Sequence, residues 1–430
     1  MTNQFKRLVA LRYRDFRLLW LGETVAWTGS QMRNFAINWH VFELLRGQTF
    51  VFNFFGNDIV MGSDAFGLGM LGLARVIPVI LFAMLGGMLA DAFERRLVMV
   101  ATQCLSALLT ATLALLTLNG QVSVGAIYVV TGLSAAAMAF DFPARQSIVA
   151  NVVEARHLSN AISLNALVMQ VATIIGPAVA GLLVAQFNVG LVYGVNAVTF
   201  LLSAVAIWRI RHRGKSSAGA QIGWRTLLAG LRFTFSTRIV LGTMLLDFFA
   251  TLFASARTML PIVAGQILGV GAAGYGLLAT AQPIGALLVG TVLSLRGEMK
   301  RQGLILLLSV ALYGLATAIF GVSTVFALSF VLFALTGAGD TISSIIRGTI
   351  RQLATPDALR GQMTSANMLF FMTGPQLGEL RAGILASLFG APFAIFSGGL
   401  ATVLMTGWVA WRYPSIRRYN NAEDLKRKRA

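Results

Sequence analysis

Two stretches of the sequence place an acid and an arginine ten residues apart inside otherwise apolar runs: Glu23 with Arg33, and Asp247 with Arg257. Ionisable groups in such runs are costly unless they meet an aqueous cavity or a partner, so they mark working positions. At a helical rise of about 1.5 Å, ten residues put about 15 Å between acid and arginine. A carboxylate lining a low-dielectric cavity can take up and release a proton. Glu23 and Asp247 are therefore the leading proton-coupling candidates, with Arg33 and Arg257 as their partners or as contacts for an anionic substrate. Static ion pairing of the four is the alternative. Glu379 is a third proton-coupling candidate. Arg381, two residues on, points about 200° round the helix from it and is not expected to be its partner. Asp141 and Asp340 are expected to pair with Arg145 and Arg347, whereas Arg75 has no evident partner in the sequence. Trp27, Trp39 and Met244 share runs with the charged pairs and are candidate cavity residues.

The elements that must position these groups are apolar helices. Of 430 residues 57% are hydrophobic and only 12% charged, too few charges to cover a water-soluble protein of this length. The apolar residues come in runs of about 20, the length of a helix crossing a bilayer core of about 30 Å. Spans are expected at 17–44, 67–90, 97–118, 122–140, 161–187, 190–208, 240–266, 274–295, 303–320, 324–344, 363–389 and 392–411. The net charge is +18. Most of the basic residues, Arg145, Arg156 and the group from Arg347 to Arg360 among them, fall in alternate loops and the two ends. The positive-inside rule then makes both termini cytoplasmic and the number of spans even. This placement argues against nucleic acid as a partner. Cys104 is the one cysteine, and His40, His157 and His212 lie far apart, so neither an internal disulfide nor a metal site is expected. No phosphate-binding G-x-x-x-x-G-K-[ST] loop occurs, no cofactor is expected, and nothing clusters as an enzyme's catalytic set would.

The two halves of the chain repeat. A shift of 202 residues pairs Arg145 with Arg347, Asn165 with Asn367, Gly176 with Gly378 and Gly181 with Gly383. Nearer the start a shift of 224 pairs Glu23 with Asp247 and Arg33 with Arg257; a long outside loop at 46–66 accounts for the difference. The expected fold is an all-α membrane protein of 12 transmembrane helices, two six-helix halves related by a parallel repeat, with N- and C-termini cytoplasmic. Its parts are a six-helix bundle over 1–208, a cytoplasmic linker over 209–238 with an amphipathic helix from Trp224, a second bundle over 239–412 and a basic tail over 413–430.

Motifs narrow the class. GMLADAFERR, from Gly87 to Arg96, sits between the second and third spans and resembles the loop motif of major facilitator proteins, with Ala92 and Glu94 departing from the usual pattern. The resemblance implies a conformational latch made by Gly87, Asp91, Arg95 and Arg96, with Arg145 and Arg347 as its basic partners. IIGPAVAGLL, holding Gly176, Pro177 and Gly181, is similar to the Gly-Pro motif of antiporters in that superfamily; Gly378 and Gly383 are its repeat equivalents. Small residues there let helices approach closely. RDFRLLWLGETVAWTGSQ, FDFPARQSIVANVV and IRGTIRQLATPDALRGQMTSANMLF resemble the drug and siderophore efflux branch, the transmembrane secretion effector type. That resemblance implies export of a small-molecule substrate by proton antiport, from a multi-pass protein of the cell membrane, monomeric, whose partners are its substrate, protons and the lipid bilayer. A lipid or lysophospholipid flippase and a uniporter on the same fold are the competing readings.

Overall fold

The computed structural model describes residues 5–54, 57–92, 94–212, 224–295 and 299–420. The chain is helical along nearly all of this length. The long helices are α1 (Arg14–Leu45), α2 (Ser63–Ala92), α3 (Arg95–Leu118), α4 (Val124–Val152), α5 (Leu158–Gln186) and α6 (Val189–Trp208). After the linker come α7 (Trp224–Ser236), α8 (Arg238–Phe253) and the single turn α9 (Leu260–Ile262). The remainder is α10 (Gly271–Leu295), α11 (Gln302–Val322), α12 (Phe326–Ala354), α13 (Arg360–Phe389), α14 (Ala391–Arg412) and the short α15 (Pro414–Arg417). Ten helices among the described residues are long and apolar enough to cross a membrane. Their outward faces carry exposed leucines, such as Leu108, Leu182, Leu288, Leu308 and Leu404. Lipid, not water, is the solvent that accommodates such a belt. The protein is a multi-pass membrane protein.

Three departures from the sequence reading concern the site. Residues 46–66, expected as a loop, contain an antiparallel hairpin of β1 (Thr49–Phe54) and β2 (Asn57–Gly62), with Val51 opposite Val60. Its alternating β-branched and aromatic residues favour strands. Secondly, α4 and α12 each run about ten residues past the apolar span expected for them, keeping Arg145, Arg347 and Arg351 inside helices. These arginines were assigned to loops by charge, yet all three are buried; the ion pairs described below keep the helix intact around them. Thirdly, the seventh span is broken. After Phe253 the helix stops, then continues as a 3-10 turn (Arg257–Met259), α9 and a π turn (Val263–Ile267). Pro261 sits in the first turn of α9, where its missing N–H costs no intrahelical bond, so it suits the restart of the helix after the break.

The chain forms two compact units. The first is Met1–Val41, Ala74–Gln221 and Gly271–Leu277; the second is Phe42–Leu73, Ile222–Val270 and Leu278–Ala430. In the first, α3 packs extensively on α6 and on α4; in the second, α11 packs on α14 and on α12. The same helix pairing therefore recurs. The first unit has a core of Phe16, Leu19, Met99, Ile148 and Ile207, the second one of Leu306, Ile346, Ile350, Val409 and Ile416. In the second unit α7 docks on α13, where Gly230 lies against the Gln362 carbonyl. Most of the linker before α7 and the tail beyond residue 420 lie outside the described residues.

Candidate functional site

In the first unit α1 brings Glu23 to Arg145 of α4, with a carboxylate to guanidinium distance of 2.9 Å. Arg145 also holds Asp141, one turn earlier on its own helix, through Nε at 2.8 Å and Nη2 at 2.7 Å. Thr102 of α3 donates its hydroxyl to the other oxygen of Asp141 at 2.9 Å. Glu23 is 3% exposed and the Asp141 side chain 13%, so this triad of two acids and one arginine has little access to water.

The second unit repeats the design with a different count. Asp247 of α8 meets Arg347 of α12 at 3.1 Å, and Arg347 reaches Asp340 on its own helix at 3.5 Å. Arg347 also donates to the Ser344 hydroxyl at 3.0 Å. A second arginine, Arg351, stands 3.7 Å from Asp247 and donates to the side-chain oxygen of Asn367 on α13. Here two acids face two arginines. Beside them opens a cavity of about 330 Å³ lined by Asp247, Thr251, Asp340, Ser344, Arg351 and Asn367.

The acids thus take Arg145 and Arg347 as ion partners, in place of the expected Arg33 and Arg257. Ten residues of helix put Arg33 about 15 Å from Glu23 along α1, and Arg257 lies beyond the break after Phe253, whereas α4 and α12 carry closer arginines. Arg33 donates to Ser134 at 3.2 Å and lies over the Phe200 ring. Arg257 begins the 3-10 turn after the break and is exposed. Arg75 donates to Asn38 at 3.3 Å. Among the cavity candidates, Trp27 is half-buried, and Trp39 is buried and stacks on Tyr275 with ring centroids 5.7 Å apart. Met244, expected at a cavity, instead fills a core with Val240 and Met363.

Glu379 and Arg381 diverge, as their spacing on a helix requires. Glu379 lies beside Gly72 of α2, where an added Cβ would come within 3.3 Å of Oε2. Arg381 donates to the Phe253 carbonyl at 2.6 Å, and its guanidinium sits over the Phe253 ring. Tyr313 of α11 donates to the next carbonyl, that of Ala254, at 3.2 Å. The broken end of α8 is therefore capped by two side chains from other helices, which membrane-embedded backbone requires where a helix stops.

Of the latch residues, Arg95 opens α3 and is buried. Arg96 pairs with Glu94 at 3.1 Å and donates to the Ile210 carbonyl at 2.9 Å, closing the end of α6. The side chain of Asp91 and the surroundings of Gly87 lie outside the described residues. The packing glycines all sit at close backbone approaches. Gly176 faces Gln31 and Thr28 of α1, and Gly378 faces the Thr251 carbonyl. Gly181 meets Gly276, and Gly383 meets Gly69, with no room for a Cβ at either crossing. Pro177 lies buried between the first of these.

Asp141 and Asp340 pair with Arg145 and Arg347 as expected, and Arg351 joins them as a member of the site that was not expected. The signal was present: Arg351 lies one turn after Arg347 on the same helix.

A helical, multi-pass membrane protein with buried charge clusters in two similarly built units belongs to the class of membrane transporters. The chain matches the transmembrane secretion effector family over residues 6–428 and belongs to it. It is 27% identical over 305 residues to the enterobactin exporter EntS of Escherichia coli, an alignment covering 71% of this chain and 73% of that protein. The same exporter from Shigella boydii matches to the same extent. Among solved structures it is similar to a bacterial homolog of the human lysosomal transporter Spinster, in an inward-facing and occupied conformation. That alignment has a TM-score of 0.71 and 13% identity, over 94% of this chain and 97% of that one. The nucleoside transporter NupG aligns over 94% and 99% of the two chains, with a TM-score of 0.60 and 14% identity. These last two likenesses establish the major facilitator fold alone.

Proposed function

We propose that the protein is a proton-coupled exporter of a small molecule, working by alternating access. It would have twelve spans in two six-helix halves over 1–208 and 239–412, both termini in the cytoplasm, and act as a monomer. Family membership and the likeness to enterobactin exporters support the direction of transport. The observation that carries the coupling is the charge count around Arg145. Glu23 and Asp141 share one buried guanidinium, leaving one negative charge in excess in a site with little access to water. A proton on Glu23 would bring that triad to zero net charge, and its release would restore the ion pair. Protonation state and helix position are then linked, because Glu23 rides on α1 and its partner on α4. Asp247 is the repeat-equivalent acid but already faces two arginines, so it ranks behind Glu23 in proton coupling. Glu379, beside the close crossing of α2 and α13, ranks third. The latch positions Gly87, Asp91, Arg95 and Arg96 would select between the two states.

The test is substrate flux in proteoliposomes with and without an imposed pH gradient. Glu23→Gln should keep the protein folded and able to equilibrate substrate, yet abolish acceleration by the gradient, whereas Asp247→Asn should retain most of that acceleration. A Glu23→Gln protein that still concentrates substrate at the expense of a pH gradient would sink the coupling assignment. Flux of lipid in place of a soluble solute would favour a flippase.

A further inference from the structure

The cavity beside the second cluster is not evenly walled. Its volume, about 330 Å³, falls within the range of small-molecule sites. Of the four charges around it, Asp247 and Arg347 engage each other at 3.1 Å. The other two have capacity to spare. Asp340 contacts Arg347 only at 3.5 Å, and its side chain is 53% exposed. Arg351 lies 3.7 Å from Asp247 and gives one N–H to the Asn367 side-chain oxygen, which leaves its other donors for a ligand. Contacts of that length are at or beyond the limit of useful hydrogen bonding, so both groups retain capacity for a ligand. One is a negatively charged hydrogen-bond acceptor and the other a positively charged donor, and both line the same cavity.

The charge count restricts what can enter. Two carboxylates face two guanidiniums, so a ligand with a single charge of either sign would leave an unbalanced charge beside the buried Asp247 and Arg347 pair, which is costly. A ligand carrying one charge of each sign would not. The spacing restricts it further. Asp340 and Arg351 are eleven residues apart on α12, an interval that returns to nearly the same helix face about 16 Å along the axis. The ion-paired Asp247 and Arg347 lie between them. The side chains lean together and shorten that backbone gap, but an α-amino acid, whose ammonium and carboxylate share one carbon, is too short to bridge two groups with the Asp247 and Arg347 pair between them.

We propose that this cavity is a binding site for an extended zwitterion: a solute with an ammonium group at Asp340, a carboxylate at Arg351 and several methylenes or their equivalent between. The assignment names the substrate class for the transport reading and takes its physiological meaning from it, but the binding itself can be measured without transport. Ser344 and Asn367 flank the two ends and supply further polar contacts.

The experiment is equilibrium binding to the purified full-length chain in detergent, using four probes of equal carbon number. These are 6-aminohexanoate, hexylamine, hexanoate and 2-aminohexanoate. The expected result is that 6-aminohexanoate binds at least about tenfold more tightly than each of the others. Asp340→Asn should remove its advantage over hexanoate, and Arg351→Gln its advantage over hexylamine. Asp340→Glu, which keeps the charge and so is the safer variant for folding, should shift the optimum to the shorter 5-aminopentanoate. Equal binding of the four probes by the unmodified protein, or a length preference that Asp340→Glu does not move, overturns the proposal. If the binding pattern holds while no solute crosses a liposome membrane, the transport reading fails and this site stands. If solute is exported but the four probes bind alike, the reverse is true.

Discussion

The clusters around Arg145 and Arg347 are built on the same plan and differ by one charge. Each takes an acid from the first long helix of its half, Glu23 on α1 or Asp247 on α8, and a buried arginine from α4 or α12. Each adds an acid from the arginine's own helix, Asp141 four residues before or Asp340 seven before. The difference lies one turn further on. Position 351 is arginine, and the residue 202 positions earlier is Val149, which is buried in the apolar core of the first unit. Arg351 thus turns a triad with an excess negative charge into a balanced set of four, while the second acid moves from four residues before the shared arginine to seven. The second cluster also lies beside a cavity, with the Asp340 side chain exposed where that of Asp141 is mostly covered. The lesson is that a duplicated scaffold can divide labour: one copy keeps a charge that a proton can cancel, and the other keeps a matched pair that a ligand can bridge.

Three measurements test this contrast. Removing the shared arginine has the largest expected effect. Arg145→Met strands the buried Glu23 and the partly buried Asp141 with no other ion-pair partner among the described residues. Breaking such a pair from one side costs about 3–5 kcal/mol. Arg347→Met should cost less, since Arg351 remains beside Asp247. Thermal unfolding of the two variants in the same detergent measures the gap, and equal losses would mean that Arg351 contributes nothing.

The next effect is functional. Arg351→Val gives the second cluster the charge count of the first, so it should acquire a proton requirement of its own. Flux in proteoliposomes should then depend more steeply on pH than in the unmodified protein. An unchanged slope would refute the charge-count argument.

The smallest effect lies at the membrane edge, where Tyr13 donates its hydroxyl to His157 or Glu154 ahead of α5. Glu154 is held below the usual carboxylate range, first by its hydrogen bond with Tyr13 and then by Arg156. A depressed carboxylate pKa adds stability that is present above the unfolded value, about 4.3, and is lost as pH falls through the lower folded value. Tyr13→Phe should therefore lower the unfolding temperature slightly at pH 7, with the difference shrinking in acid. Because that window lies far below neutrality, this corner should leave the pH dependence of transport untouched.

Much of the architecture was legible from the residues. Apolar run length gave helix ends within a few residues for α3, α6, α10 and α14, because bilayer thickness and helix rise leave little freedom. The repeat was legible because Arg145 and Arg347, or Glu23 and Asp247, are single charged residues standing out of apolar surroundings. The pairing was not. Sequence spacing along one helix suggested Arg33 for Glu23, but helix packing brings residue 145 to residue 23, and no local pattern encodes that approach. Charge also misled at the ends of α4 and α12. The positive-inside rule reads an arginine near a span end as a loop residue, whereas one that finds two carboxylates can stay inside the helix. The break after Phe253 had a local sign in Pro261, but the residues that make it tolerable, Arg381 and Tyr313, come from elsewhere in the chain.

That break has an evolutionary consequence. A methyl group added at Gly398 of α14 would fall 2.1 Å from the Phe253 carbonyl oxygen and 2.8 Å from Arg381 Nη1. The arginine can reach the open carbonyl only because position 398 has no side chain, and the carbonyl is open only because the helix stops there. These three positions, on three different helices, therefore depend on one another. Relatives that replace Gly398 should also have lost Arg381, and those that lack both should carry an unbroken seventh helix.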